Sequence, residues 1–415
     1  MNWTDSFSQR TAHMRRSAIR ELLKLTAQPE MISFAGGLPA PELFPVSKVQ
    51  SASDTVLSQQ GARALQYGET EGIGELRDWI AARHSTPNRI LGRDNVLVTS
   101  GAQQALDLFG QVFLDPQDRV VTENPTYLAA LLAWRPLGVE ICGLTGDDDG
   151  LLLPELERWM PGAKAAYVMP NFQNPGGTTL ELERRRRLVQ LARANGTVVL
   201  EDDPYGLLRY SGEPLPSMFE LDALEAGLEN RPADWNVVHV GTFSKVIAPG
   251  LRLGWALGPA EVIDKMVQAK QAADLHTSTL AQLIVMNLLD SGLLERQVPL
   301  LCSAYGERRD AMLAALRDYM PAGIQWTRPD GGMFLFATLP REWDATALLA
   351  ECLNRKTAYV PGEEFHTDGN GRNTLRLNFS NASPVVIREG IRRIAAVFAA
   401  RAQSVTATPE CPTNI

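Results

Sequence analysis

The sequence predicts an α/β fold: a mostly parallel sheet covered by helices on both faces, followed by a smaller α+β domain. Three observations lead there. From about residue 95, short apolar, β-branched runs alternate with longer amphipathic ones, the pattern of strands joined through crossover helices. Past about residue 285 the pattern changes to long helices, three strand-like runs and a closing helix. The length of 415 residues exceeds the ~250 to 300 residues at which a single hydrophobic core stops growing, so two domains follow.

Taken in order, residues 1–45 read as an arm. It carries a short helix over Ser17 to Thr26 and the loop FAGGLPAPELFP, and it is expected to fold back over the functional site. Residues 46–285 form the large domain, with strands at Val96 to Thr99, Arg119 to Thr122, Ala165 to Met169, Thr197 to Leu200, Val237 to Val240 and Leu253 to Leu257. Helices are expected at Gln103 to Phe113 and Leu180 to Ala194, and a connecting helix near Ala260 to Leu289 leads out of this domain. Residues 286–403 form the small domain. Its helical part runs from Leu293 to Asp318, its strands lie in GGMFLFATLP, AYVPGEEF and TLRLNFS, and an amphipathic helix from Val385 to Ala400 closes it. Residues 404–415, rich in Pro and Thr, read as a flexible tail. Ligands of such sheets sit beyond the carboxyl ends of the strands, which singles out the residues after each run.

Composition narrows the function. With 40 Lys+Arg against 48 Asp+Glu and a net charge of -8, the chain lacks the basic excess of a broad nucleic-acid surface. Cys142, Cys302, Cys352 and Cys411 have no short spacing, and His13, His84, His239, His276 and His366 do not cluster with them, so no metal site is expected. The polar N-terminus and the lack of any apolar run of ~18 residues point to a cytoplasmic protein without a membrane span. The Asn-x-Ser/Thr matches at Asn2, Asn195, Asn378 and Asn381 are then chance occurrences. The run Arg184 to Arg187 reads as a solvated helix face in which Glu181 and Glu183 pair with Arg185 and Arg187 at i,i+4.

The strand ends carry the chemistry. After Thr99 comes SGAQQALDLF, a turn opening a helix whose Gly101, Ala102 and Gln103 can hold a phosphate on backbone N–H groups; the alternative is a plain connection with Ser100 as N-cap. PNFQNPGG and LEDDPYG place Asn174, Asp202 and Tyr205 where the chain leaves the sheet. The carboxylate suits a protonated ring nitrogen, and the amide and phenol suit a phenolate oxygen, although Asp202 or Asp203 could instead start a turn. Lys245 in VGTFSKVIAPGLRLGW is flanked by Thr242 and Ser244 and precedes Arg252 by seven residues. An apolar setting there lowers the ammonium pKa, and a neutral amine condenses with an aldehyde.

The set SGAQQAL, NPTY, NFQNPGG, EDDPY, TFSKVIAPGLRLG and LRLNFS, spread from about Ile19 to Ile394, resembles the pyridoxal-phosphate aminotransferases of fold type I. Within them it is most similar to the branch of 2-aminoadipate, kynurenine and broad-specificity aminotransferases. The resemblance implies a mostly parallel seven-stranded sheet. It implies that Lys245 carries pyridoxal 5'-phosphate covalently and shuttles a proton, that Asp202 keeps the pyridine nitrogen protonated, and that Asn174 and Tyr205 bind the phenolate oxygen. Tyr127 would stack on the ring. The phosphate would lie on Gly101, Ala102, Gln103, Thr242, Ser244 and Arg252, with Tyr67 reaching the site of the neighbouring subunit in a homodimer. Apart from the resemblance, His276 in ADLHTS is expected near that interface, with nothing requiring it in catalysis. Two departures stand out: Ala102 where many relatives have Ser, which removes a hydroxyl donor worth about 1 kcal/mol, and Asn174-Pro175-Gly176-Gly177 where relatives read NPTG.

For the substrate, Arg376 in LRLNFS offers a guanidinium fork to the α-carboxylate, with Asn174 beside it. Gly36 and Gly37 lie where a side chain would crowd a ligand. By resemblance Arg20, on the first helix, pairs with the distal carboxylate of an acidic substrate; the alternative is a solvated charge beside Glu21. The implied reaction is ping-pong transamination from an L-amino acid to a 2-oxo acid. 2-Aminoadipate with 2-oxoglutarate is the first choice, in lysine biosynthesis, and glutamate, leucine or aromatic donors are alternatives. A lyase or decarboxylase could use the same scaffold. A ligand-sensing transcription regulator would need a DNA-binding module for which the roughly 30 residues before FAGGLP are too few.

Overall fold

Strands buried on both faces need continuous apolar runs, and most strands of the large sheet have them. In the computed structural model, which describes residues 2–26, 28, 30–86, 89–225 and 235–406, seven strands form one sheet: β1 (Val96–Thr99), β2 (Arg119–Glu123), β3 (Glu140–Leu144), β4 (Ala165–Val168), β5 (Val198–Asp202), β6 (Val237–Thr242) and β7 (Gly254–Leu257). Their order is β1-β7-β6-β5-β4-β2-β3, with β7 antiparallel to both neighbours and the other pairs parallel. The sequence reading omits β3. That strand is an edge with partly exposed residues and a glycine, Gly143, in its middle, so it carries little of the apolar signal that marks the central strands.

The register sets the site. Gly254 pairs with both Thr99 and Thr242, so the ends of β1 and β6 and the start of β7 lie on one line. Asp202 pairs with Val240 one strand over, and Tyr167 of β4 pairs with Leu200. Side chains alternate across a strand, so Tyr167, Leu200 and Asp202 share one face of the sheet.

A second sheet contains β8 (Gln325–Trp326), β9 (Phe334–Thr338), β10 (Val360–Pro361) and β11 (Thr374–Asn378) in the antiparallel order β8-β9-β11-β10. The run AYVPGEEF does not make one strand. Thr357–Ala358 pairs in parallel with Ile32–Ser33 of the arm, β10 follows, and Gly362–Phe365 turns as a 3-10 helix. The arm is thereby stitched to the second sheet. Its helix, Ala18–Leu25, is capped by Ser17, whose Oγ accepts from the Arg20 N–H at 3.4 Å.

The connecting helix expected near Ala260 to Leu289 is two helices, Ala260–Ala273 and Thr279–Asp290. The break is fixed by Ser278, whose side chain caps the second helix through the Ala281 N–H. Leu293–Tyr319 and Pro384–Thr406 complete the helical cover. The backbone of the closing helix runs past the position where the tail was expected to begin, and residues 407–415, with Cys411, lie outside the described residues. Among the described residues no helix is long and apolar enough to cross a membrane, and no group of three or more His, Cys, Asp or Glu is placed to hold a metal.

The arginine run needs correction. Arg184 pairs with Asp147 at 2.6 Å and with Glu181 at 3.8 Å, Arg186 with Glu183 at 2.8 Å and Arg187 with Glu157 at 2.6 Å, so the ion pairs within the helix are i,i+3 and the others cross to neighbouring elements. Arg185 is not on the solvated face. It is buried and donates to the carbonyls of Leu180, Pro170 and Pro216 and to Asn171 Oδ1, at 2.7 to 2.9 Å. This guanidinium holds the segment that carries Asn174, because helix Leu182–Asn195 returns against the turn leading into it. Arg185→Met leaves several buried acceptors unpaired and should cost about 3 kcal/mol or more. Arg187→Ala, at a half-exposed pair, should cost less than about 1 kcal/mol. Denaturant unfolding of the two variants checks the contrast; equal losses would contradict it.

Candidate active site

The turn after β1 is shaped by one glycine. Gly101 has φ +83° and is the N-cap of helix Ala102–Phe113, and a Cβ there would collide with the Arg252 guanidinium. Ser100 is therefore not the cap; its Oγ donates to Asp274 Oδ2 at 2.9 Å. No side chain caps this helix, so its first-turn N–H groups face the space that Arg252 also borders, an arrangement suited to an anion. Arg252, itself in the left-handed region with φ +53°, donates from Nη2 to the Ser100 carbonyl at 3.2 Å. Thr242 and Ser244 are buried and joined, Thr242 Oγ1 lying 2.9 Å from Ser244 Oγ and accepting from the Ser244 N–H at 3.1 Å. Gln103 is exposed and reaches the Ala129 carbonyl at 3.3 Å.

Behind this turn lies a group that the sequence reading missed. Lys270 is fully buried and donates to Asp274 Oδ1 at 2.6 Å and to Gln104 Oε1 at 3.0 Å, and Gln104 Oε1 also accepts from the Ser100 N–H at 2.8 Å. The turn is thus tied to helix Ala260–Ala273. The sequence offers only an i,i+4 pair, Lys270 and Asp274, which looks like any surface pair until the tertiary contact buries it.

At the end of β5 the two acids separate. Asp203 is the turn acid, accepting from Asn171 Nδ2 at 2.9 Å and from the Gly206 N–H at 2.7 Å. Asp202 is buried with one oxygen engaged, Oδ2 accepting from the Tyr167 hydroxyl at 2.9 Å, while Oδ1 is buried without a partner. Burial pushes its pKa up to about 7, against the Tyr167 bond, which lowers it. A carboxylate oxygen left unpartnered in low dielectric is costly unless a cation or donor arrives. Tyr167 is a second residue the reading missed, since its relation to Asp202 depends on the register between β4 and β5.

Lys245 stands just past β6. Its Nζ donates to the Gly37 carbonyl at 3.0 Å and lies 5.9 Å from the centre of the Tyr205 ring. Burial, with the positive charges of Arg376 and Arg252, lowers its pKa to about 8. The Tyr205 phenol is buried, which raises its pKa, while the Asn174 side chain hydrogen-bonds to it. Asn174 Oδ1 also accepts from Arg376 Nη1 at 2.8 Å. Arg376 on β11 is buried, donates from Nη2 to the Ala35 carbonyl at 2.8 Å, and lies over the rings of Phe334 and Phe365 at 4.2 and 4.9 Å. Its Nε has no partner. Burial lowers its pKa to about 10, which leaves it protonated at neutral pH.

Tyr127, half-buried, precedes helix Leu128–Trp134, and its phenol feels the charges of Asp202, Arg376, Arg20 and Arg252. Arg20 is exposed, and Glu21 pairs with Lys24 at 2.8 Å, so the arm helix brings a cation toward Tyr127 that its neighbouring acid does not take up. A Cβ at Gly37 would come 3.2 Å from Phe334 Cζ, and one at Gly36 3.1 Å from Leu38 Cγ, so the crowding there is against the protein's own side chains. Tyr67 does not join the cluster of its own chain: it is 78% exposed, with its ring edge-on to His276 at 5.8 Å.

These groups fit pyridoxal phosphate. The unpartnered Asp202 oxygen matches a protonated ring nitrogen, the glycine turn with Arg252 matches a phosphate, and Lys245 supplies an amine with a lowered pKa. Comparison with known proteins agrees. The family model for aminotransferase class I and II matches residues 31–394. The chain is 42% identical over 406 residues to aromatic-amino-acid aminotransferase 1 of Thermococcus litoralis, covering 95% of this chain and 94% of that protein. It is 41% identical over 400 residues to 2-aminoadipate transaminase of Thermus thermophilus, covering 95% and 96%. The solved alpha-aminoadipate aminotransferase of Thermus thermophilus, complexed with N-(5'-phosphopyridoxyl)-L-leucine, superposes with a TM-score of 0.90 at 39% identity, covering 97% of this chain and all of that one. A glycine-capped phosphate turn, a half-satisfied buried acid and an amine of lowered pKa, in a chain matched along nearly its whole length, place it in the class I and II aminotransferases as a pyridoxal-phosphate-dependent transaminase.

Proposed function

We propose that the protein transfers the amino group of an L-amino acid to a 2-oxo acid by a ping-pong sequence, with 2-aminoadipate as donor and 2-oxoglutarate as acceptor, leucine or aromatic donors also accepted, and glutamate serving as donor to a different 2-oxo acid. The observation that carries this reading is the placement of Lys245 and Arg376 around Asn174 and Tyr205, with the open Asp202 oxygen on the same site. Pyridoxal phosphate, when bound, supplies an electron sink that acidifies the Cα–H of an amino acid joined to it.

The chain's own residues do the rest. Lys245 would hold the cofactor covalently through its neutral amine and, when its amine is free, would take the proton from the substrate Cα as general base and deliver it to the cofactor carbon bearing the amino nitrogen as general acid. Asp202 favours the protonated ring nitrogen, and its own ionised form is favoured in return by that cation. Asn174 and Tyr205 donate to the phenolate oxygen. Tyr127 lies against the ring. Gly101, Ala102, Gln103, Thr242, Ser244 and Arg252 bind the phosphate. Arg376 pairs with the substrate α-carboxylate, with Asn174 fixing the guanidinium, and Gly36 and Gly37 keep the arm close to the ligand. Arg20 meets a distal carboxylate. The exposed Tyr67 supports a homodimer in which it completes the phosphate site of the other subunit. The two sheets are the cores of a large domain, 46–285, and a small one, 286–403, and the arm joins them.

A donor panel with 2-oxoglutarate fixed tests the reading: 2-aminoadipate should give the highest kcat/KM, with parallel double-reciprocal lines, and turnover independent of any 2-oxo acid would contradict it. Lys245→Ala should lower turnover by at least about 10³-fold. Arg20→Ala should lower kcat/KM for 2-aminoadipate or glutamate about tenfold while leaving leucine nearly unchanged, and equal losses would remove Arg20 from substrate binding. Only the neutral amine attacks an aldehyde, and the Lys245 pKa is lowered to about 8. Covalent loading of cofactor-free protein should therefore be slow below that pH, rise through it and level off above. A midpoint near the ordinary lysine value of ~10.4 would contradict the assigned burial.

A further inference from the structure

Resting on that reading, we propose that Tyr167 is a positioning residue for the cofactor: its phenol fixes one oxygen of Asp202 so that the other is presented to the pyridine nitrogen. A carboxylate has two equivalent oxygens and turns freely unless one is held. Here Oδ2 takes the Tyr167 hydrogen bond at 2.9 Å, and Oδ1 remains buried without a partner.

The phenol is itself held. Trp134 lies edge-on to the Tyr167 ring, centroids 5.2 Å apart at 87°, and is locked by its Nε1 donating to the Leu106 carbonyl at 2.9 Å. Phe109 also packs against Trp134, with ring centroids 6.0 Å apart. Leu106 and Phe109 belong to helix Ala102–Phe113, whose first turn is the phosphate cradle. One rigid path therefore runs from the turn that takes the phosphate to the oxygen that takes the ring nitrogen, and it fixes the spacing between the two ends of the cofactor.

The role is also electrostatic. The titratable groups facing Asp202 are Glu123 on β2, Tyr167 on β4, Asp203 next in the chain, His239 on β6, and the phenols of Tyr127 and Tyr205. Tyr167 is the one that hydrogen-bonds to it. Burial raises the Tyr167 pKa well above its ordinary value, so the phenol stays a donor throughout the working range and favours the ionised carboxylate. Without that donor Asp202 keeps its proton to higher pH, and a neutral acid attracts a pyridinium less.

The test compares the holoenzyme with Tyr167→Phe, which keeps the ring against Trp134, and with Trp134→Phe, which keeps the phenol and loosens its brace. Pyridoxal phosphate affinity is measured by equilibrium dialysis, the acid limb of kcat/KM for an amino donor is followed with pH, and unfolding is recorded alongside. Loss of a hydrogen bond to a charged group predicts affinity about tenfold weaker and an acid limb about one pH unit higher in Tyr167→Phe. Trp134→Phe, which keeps the phenol's hydrogen bond to Asp202, should unfold more easily and shift the acid limb by clearly less than Tyr167→Phe does. Unchanged affinity and limb in Tyr167→Phe would overturn the role, as would a limb shift equally large in Trp134→Phe, which would assign the effect to packing. A parent protein that retains cofactor beside an unaltered Tyr167→Phe overturns only this inference, whereas a parent that binds none overturns the reading beneath it as well.

Discussion

A buried carboxylate with one oxygen bonded and the other unpartnered is the constraint around which the rest of this structure is arranged. Asp202 sits at the end of a central strand, held by Tyr167 and walled by the sheet. Removing such a group from water costs several kcal/mol unless it is compensated. The protein meets that cost only in part, since one oxygen is buried without a partner, and on the proposed reading a protonated ring nitrogen would meet the rest. Stability spent there becomes binding preference for one cofactor chemistry, the kind of local conflict that functional sites retain.

The same low-dielectric setting acts in opposite directions on neighbouring groups. It pushes the Asp202 carboxyl up to about 7 and brings the Lys245 ammonium down to about 8, while Arg376 remains charged even at about 10. The site therefore contains an acid and an amine that both titrate near neutrality and a cation that does not. The amine suits a group that forms a bond and moves a proton, the acid suits one whose ionised form is drawn out by an arriving cation, and the third suits a permanent anchor for a carboxylate. The sheet makes this possible because β5 and β6 deliver their last residues to one end, and β11 of the second sheet brings Arg376 across to meet Asn174 at 2.8 Å.

Much of this was legible in the sequence because the informative residues follow short apolar runs. Six of the seven strands of the large sheet carry a short apolar run that can be recognised, and Lys245, Asp202, Tyr205 and Asn174 come within five residues of the ends of such runs. The edge strand β3 was not legible, since a half-exposed strand lacks a continuous apolar signal. Groups defined by register or by tertiary burial were hidden as well. Tyr167 reads as one aromatic in an apolar strand, Lys270 as a surface charge, and Arg185 as part of a solvated face, until the fold buries each of them. The break at Ser278 and the split of AYVPGEEF turn on capping and on pairing with the arm, interactions that a local periodicity does not encode.

The most direct test of the account is chemical. Borohydride reduction of the purified holoenzyme, followed by peptide mass analysis, should place a phosphopyridoxyl addition on Lys245 and on no other lysine. An unmodified peptide containing that residue, from protein that retains the cofactor, would contradict the assignment of the site.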